Sequence, residues 1–494
     1  MSLFINTNIA SLYAQDNLAN SQSSLATSIQ RLSSGLRINS AKDDAAGMAI
    51  AARMTSQIGG MTQAAQNAND GISMAQTAEG ALAQVTNDLQ TMRNLSVQAA
   101  NGTNSSGDRA SIQASIAQLQ ADISQISSNT QYNGLNLLDG SLSNVQFQTG
   151  ANAGQTINAS IGTSAANSIG NYQLNANGTM TAAVAAAAGT SPNNTVVAQT
   201  LTVNGNGATA TAAIAASASA YAIAQAVNTA TANGNTNVKA TALTTATLGT
   251  FSAGGAVSFT LFGSNTTGVS ISATMSSTTD VTGLAAAINA QSSTTGITAV
   301  ANNGSLALTQ AQGYDIKIQA FTNGTATAAL TGSSGSAATL TSGGTDSSTV
   351  GGEVTFNSSN GYTVASSAPT GLFTSAAGVG NAGGLVAVST IDVTAMTNGI
   401  PTGANSALNV VDSAINYING LRANLGALQN RFMNAQSSLQ TTSTNMQQAR
   451  SRIQDTDFAA ETANLTHNQI LSQAGTAMLA QANALPNSVL TLLK

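Results

Sequence analysis

Few residues in this chain could do chemistry. Asp43 and Asp44 are its one pair of adjacent acids, in 494 residues of which only 6% are charged. Paired carboxylates can relay a proton or hold a metal ion. In "NSAKDDAAG" (39–47), however, the pair stands where a helix would start, and acids there complement the dipole and cap free N–H groups, a reading that outweighs the catalytic one. His467, in "LTHNQ", is the sole histidine, and there is no cysteine. Thiol nucleophiles, disulfides, Cys/His zinc sites and histidine-dependent triads are thereby excluded. A lone histidine on a polar helix reads as surface or interface. The cluster "GNAGG" (380–384) lacks the Lys-Ser/Thr of a phosphate cradle and reads as a turn. No catalytic residue, metal or cofactor is expected.

The elements around these residues carry the stronger signal. A net charge of -5 offers no basic surface to neutralise phosphates, so nucleic acid is not an expected partner. Tryptophan is absent and aromatics are 3%, which suits close helix packing and thin β-layers better than a deep pocket. The longest apolar run, "AAVAAAA" (182–188), is too short to span a bilayer. The first basic residue is Arg31, so the opening segment lacks the positive region of a cleavable leader, and any export is expected to use another route.

Charge divides the chain into three: residues 1–150 hold 15 charged side chains, 405–494 hold 9, and the long middle only 7. The first proline is Pro192, so long helices are permitted before it. Ile58, Met61, Ala65, Ala68, Ile72, Ala75, Leu82, Val85, Leu89 and Met92 recur at spacings of three and four, the seam of a coiled coil or bundle. "NGTNSSGD" (101–108) is a turn, and a second seam follows at Ile112, Ile116, Leu119, Ile123 and Ile126. "QYNGLNLLDG" then announces β-turns. From Leu408 through Val411, Ile418, Leu425, Phe432 and Leu439 to Ile453 runs a matching C-terminal seam, whose expected partner is the N-terminal hairpin.

The outermost seams are weaker: Leu18, Leu25, Ile29, Leu32 and Leu36 at one end, and Leu471, Ala474, Met478, Ala482, Leu485, Val489 and Leu492 at the other. Short polar helices are marginal alone. Both tips are therefore expected to be disordered in the monomer and to fold when neighbouring subunits cover them. The middle alternates like β-strands at "LTVNG", "VSFTLFG", "GVSISATM" and "YDIKIQAF". It also repeats: "AIAQAVN" (222–228) before "NVKATA" (237–242) matches "LAAAIN" (284–289) before "GITAVA" (296–301), a strand, helix, strand unit about sixty residues apart.

Both ends closely resemble bacterial flagellin. The motifs are "INTNIASLYAQDNLANSQSSLATSIQRLSSGLRINSAKDDAAGMAIAARM" at the start, and "LGALQNRF" (425–432), "SRIQDTDFAAETANLT" (451–466) and "SVLTLLK" (488–494) near the end. The resemblance implies a mixed α and β fold, with terminal helices paired in a coiled-coil or bundle rod and a β-rich inserted outer region. Residues 1–40 and 455–494 would line the filament core, 41–170 and 405–454 form the rod, and 171–404 the variable outer region, with two small α+β modules. It further implies a secreted, non-enzymatic filament subunit for swimming, exported unfolded by the flagellar type III apparatus. Implied partners are other copies of the chain, an export chaperone on the C-terminal helix, a filament cap, a hook-filament junction protein and host innate receptors.

The residues carried over fall in three groups. Arg31, Leu32, Gly35, Leu36, Arg37, Lys42, Asp43 and Asp44 form an assembly joint, whose charges are expected to set register between subunits where apolar seams would slip. Leu89, Gln90, Arg93 and Leu95 match a receptor patch, although Thr91 and Ser115 stand where receptor-active members commonly have arginine and glutamate. Leu485, Val489, Leu490, Leu492 and Leu493 match the C-terminal core and chaperone contacts. A hook-filament junction protein, with similar end helices, is the nearest alternative. A zinc peptidase in the variable region is excluded because its HExxH motif needs two histidines.

Overall fold

The computed structural model describes residues 7–176, 178–187, 192–368, 372–373, 375–397 and 400–492, with side chains as far as Ala484. The chain opens with three helices, α1 (Ile9–Ser34), α2 (Ala45–Ala99) and α3 (Ser106–Asn129). Local chemistry sets their limits. The Asn8 side chain caps α1 by accepting from the Ser11 N–H, and Gly35 ends it at φ 72°, where a Cβ would strain the backbone. Ser105 and Asp108 cap α3 reciprocally. Between α2 and α3, the buried guanidinium of Arg109 donates to the carbonyls of Ala99 and Asn101 at 3.2 Å each, satisfying groups the end of α2 leaves free.

Two short ribbons follow, β1 (Gln131–Tyr132) with β2 (Leu135–Asn136) and β3 (Val145–Gln148) with β4 (Thr156–Ala159). Asn133 and Gly134 both take positive φ in the two-residue turn of the first ribbon. Next come β5 (Gly170–Ala176), β6 (Ala183–Ala186), the hairpin of β7 (Gln199–Gly205) and β8 (Ala208–Ile214), α4 (Ala220–Gly234) and β9 (Val238–Gly249). A second hairpin, β10 (Gly255–Phe262) and β11 (Val269–Met275), precedes α5 (Thr282–Ala290), the single turn α6 (Ser292–Thr295), β12 (Ile297–Asn302), β13 (Ser305–Gln310) and β14 (Ile316–Thr322). Then run β15 (Thr327–Gly332), β16 (Ala337–Thr341), β17 (Ser347–Val350), β18 (Glu353–Ser358), β19 (Tyr362–Ser366), β20 (Gly380–Ala382) and β21 (Gly384–Ala387). Two long helices close the chain, α7 (Thr402–Gln454) and α8 (Phe458–Leu492). Helical ends around a β-rich middle are thus the architecture.

The chain divides into two compact units, one holding residues up to Ala75, Asn144–Ala159 and everything from Ala427 onward, the other Gln76–Ser143 and Ser160–Gly426. In the first unit α1 lies antiparallel to α8, pinned by the Asn8 amide on the Ala482 carbonyl at 2.8 Å and by Ser11 on Asn483 at 2.7 Å. The adjoining part of α7 buries Phe432, whose ring meets Phe147 edge-on at 5.2 Å. Gly71 makes room for that ring: a Cβ there would come within 2.6 Å of it.

The expected terminal seams need correction. Leu18, Leu25, Leu32 and Leu36 are half-buried, but Ile29 is 53% exposed and Ser28 is buried instead. On α8, Leu471, Ala474 and Met478 point outward, whereas Gly475 approaches Leu18 and Ala482 is buried. The more covered face of α8 is thus rotated from the expected one and runs through Leu465, Ser472, Gly475, Leu479 and Ala482, with Gly475 admitting the Leu18 side chain. Leu485, Val489 and Leu492 of that seam fall where side chains are not described.

In the second unit, α2 buries Leu82, Val85, Leu89 and Met92, α3 buries Ile112, Ile116 and Ile123, and α7 buries Val411, Ala414, Ile418 and Leu425. All but Ala414 follow the expected seams; there the expected Ile415 is half-buried and Ala414 is buried in its place. Two separate hydrophobic cores fill its β-rich part, one from Ala246 to Val350 and one built from residues on both sides of that stretch.

Candidate functional site

At the joint after α1, the N- and C-terminal parts of the chain are stitched by backbone. Leu36 bridges Asp455, the Arg37 N–H donates to the Gln454 carbonyl at 2.7 Å, and the Thr456 N–H to the Gly35 carbonyl at 2.9 Å. The Arg37 guanidinium adds a bond to the Ile453 carbonyl at 2.6 Å, at the end of α7 where unpaired carbonyls favour a cation. Arg31 faces Glu461 on α8 at 3.8 Å, and Leu32 is half-buried beside it. Gly35 supplies the change of direction.

The two acids serve the backbone rather than each other. Asp43 accepts from the Ser40 N–H at 2.8 Å, the Asn39 N–H at 3.1 Å and the Ser40 hydroxyl, which hold its carboxyl below the usual range. Asp44 accepts from the Gly47 N–H at 2.8 Å and so opens α2. A Cβ at Gly47 would push the Asp44 carboxylate and the end of the Ile38 side chain out of their places. Lys42 is exposed. Among the described residues no group of three or more acids and histidines is placed to hold a metal ion.

The second group lies on α2. Gln90 and Arg93 are exposed and Leu95 is half-buried, but Leu89 is fully buried and can only support the patch from beneath. Arg93 is already paired with Asp412 of α7, Nε to Oδ1 at 2.6 Å, and that bond raises its pKa. Thr91 and Ser115 are exposed and bond the carbonyls of Asn87 and Ser111. Of the third group, Leu485, Val489, Leu490 and Leu492 lie in α8 with side chains outside the described set, and Leu493 lies outside the described residues. Glu461 and Asp412 escaped the sequence reading, because each partner stands more than three hundred residues away and nothing local marks the pair.

Comparison with known proteins bears on what such a joint is for. Residues 5–143 match the bacterial flagellin N-terminal helical region, 408–493 the C-terminal helical region, and 258–312 the flagellin hook IN motif. A B-type flagellin of Pseudomonas aeruginosa is 45% identical, with all of both chains covered. This chain belongs to the bacterial flagellin family. A flagellin of Salmonella choleraesuis is 36% identical over the whole of both chains. FliC from Burkholderia pseudomallei, a solved structure, is 21% identical, with 73% of this chain and 99% of that one covered at a TM-score of 0.30. As a flagellin, this chain is a structural subunit of the flagellar filament.

Proposed function

We propose that this flagellin polymerises through the uncovered apolar faces of α1 and α8. The observation that carries the reading is the set Ile9, Leu12, Tyr13, Ile29, Phe458, Ile470, Leu471 and Met478, all large, apolar and exposed on these two helices. Monomers rarely leave so many together without a partner, and each would contribute about 1.5–3 kcal/mol if fully covered. The joint fixes how α1 and α8 leave the rest of the chain, and its charges then limit register between copies. In the filament, residues 1–40 and 455–494 form the core, 41–170 and 405–454 the rod, and 171–404 the outer region. The subunit is exported unfolded by the type III route, with a chaperone shielding the C-terminal helix, and meets a cap at one end of the filament and a junction protein at the other.

Polymerisation of purified protein on filament seeds tests this. Wild type should give long filaments by electron microscopy, and Leu471→Asp with Met478→Asp should give none while leaving the β-rich part folded. Unchanged assembly by the double variant would overturn the stripe reading, and failure of wild type to elongate would favour the junction-protein alternative.

Exposed Gln90 and Arg93, with half-buried Leu95 beside them, fit the receptor contact implied by the flagellin resemblance. With Thr91 and Ser115 in place of charged residues, it lacks two charge-assisted hydrogen bonds. Thr91→Arg should therefore strengthen signalling in a cell reporter assay, and equal strong signalling by both proteins would count against it.

A further inference from the structure

We infer that the outer region is one module used twice, with the second copy inserted inside the first. Three independent observations agree. The first is strand order. The segment 255–322 runs hairpin, helix and three strands: β10 and β11, α5, then β12, β13 and β14. In it β12 pairs antiparallel with β13 from Ile297↔Gln310 onward, and β14 returns to β10 with Lys317 opposite Phe262. The same path is traced by β7 and β8, α4 and β9, but its last two strands are β18 and β19. Val238 of β9 stands opposite Ser358 of β18, and Tyr362 of β19 opposite Gly205 of β7. The sixty-residue repeat is thus only the front part of each copy, and the earlier copy is closed by strands that come after the later one.

The second observation is a shared clamp. From the middle of α4 the Asn228 side chain donates to the Ala240 carbonyl at 2.8 Å and accepts the Ala240 N–H at 2.7 Å. Near the end of α5, Asn289 holds Ala299 through the same two bonds at 2.8 and 2.7 Å. A side-chain amide reading one strand residue twice fixes helix against strand in both copies. The third is the division of the interior. One core joins Leu201, Val227 and Ala240 to Val354, Phe356 and Val364, skipping everything between, and the buried residues of the other all lie between 246 and 350, with Ala183 of the edge strand β6 packed against them.

The chain therefore leaves the host copy after Leu243 and re-enters at Glu353, and these two are direct antiparallel partners. Ends so placed can be joined by a two-residue turn, which is how an insert enters a hairpin without disturbing its strands. Any recognition borne by residues 244–352 is accordingly separable from the host.

The test uses amide exchange by mass spectrometry on monomer, so its result does not depend on polymerisation. A chain with residues 244–352 replaced by Asn-Gly should keep 199–243 and 353–366 protected, within about threefold of wild type. In the complete chain, Asn289→Ala should speed exchange roughly tenfold across 255–322 only, and Asn228→Ala should do so across 199–243 and 353–366 only. Loss of protection in the shortened chain overturns the nesting, and so does equal acceleration of both segments by either asparagine variant.

Discussion

The terminal helices and the β-rich middle solve the same problem of burying apolar surface and arrive at opposite surfaces. Between them α1 and α8 cover Leu18, Leu25, Leu32, Leu465 and Leu479 only in part and leave Leu12, Tyr13, Ile470, Leu471 and Met478 facing outward. The middle buries Leu248, Leu308, Phe321, Phe356 and Val364 fully in its two cores, and its exposed apolar residues, such as Val197, Val300 and Val379, are scattered over separate strands and loops. Its strands turn Thr, Ser and Asn to solvent, as at Thr200, Asn204, Ser270 and Ser272. An unfinished surface is one that another subunit completes; a finished one can stay in water.

The helical ends are most vulnerable at Phe432. Phe432→Ala removes a fully buried ring that fills the space left by Gly71 and should cost about 3–5 kcal/mol. Denaturant titration should show the helical transition moving while protection of 199–366 holds. If both move together, the two regions are one cooperative body and the contrast drawn above fails. Gly35→Ala should have a smaller effect. No neighbour obstructs a Cβ there, so the left-handed backbone alone opposes it, at about 1–2 kcal/mol. A loss confined to α1 and α8 by exchange would sharpen the joint's role, and an unchanged profile would remove it.

How much of this was readable depended on how far apart the partners lie. The seams from Ile58 to Met92 and from Val411 to Phe432 were legible because helical spacing is local and no proline interrupts it. The cap at Asp44 and the turn at Asn133-Gly134 were legible for the same reason. Which face α8 turns inward was not: Leu471 and Met478 look like a core seam, and only the presence of α1 shows that Gly475 admits the Leu18 side chain. The tips expected to be disordered are paired helices here, with much of their apolar surface still exposed. Leu89 belongs both to the receptor motif and to the α2 seam, and its full burial follows the seam. The front of the repeated unit could be seen, but its closing strands could not, because "EVTFNS" and "YTVAS" contain nothing that names β9 and β7 as partners across more than a hundred residues.

The smallest expected effect sharpens the contrast through pH. Asp43, at the joint, is exposed and held below its ordinary value of 3.8 by the Ser40 and Asn39 N–H groups. Its bonds therefore add stability above pH 3.8, which is lost as the pH falls through its lower folded value. Asp315, in the outer region, is buried, and desolvation raises its pKa even though the Asn194 amide donates to it at 3.0 Å and Lys317 attracts it. There the folded protein holds the proton more tightly than the unfolded chain, so the contribution is complete below 3.8 and is lost as the pH rises through the folded value. Asp43→Asn should thus weaken protection near the joint at pH 7, by a difference that shrinks as the pH falls below 3.8. Asp315→Asn should stabilise the outer region at pH 7 and match wild type near pH 3. Local exchange compared at the two pH limits decides between them, and an Asp315→Asn offset that is the same at both would show that burial of the charge is not what sets the pH response of the outer region.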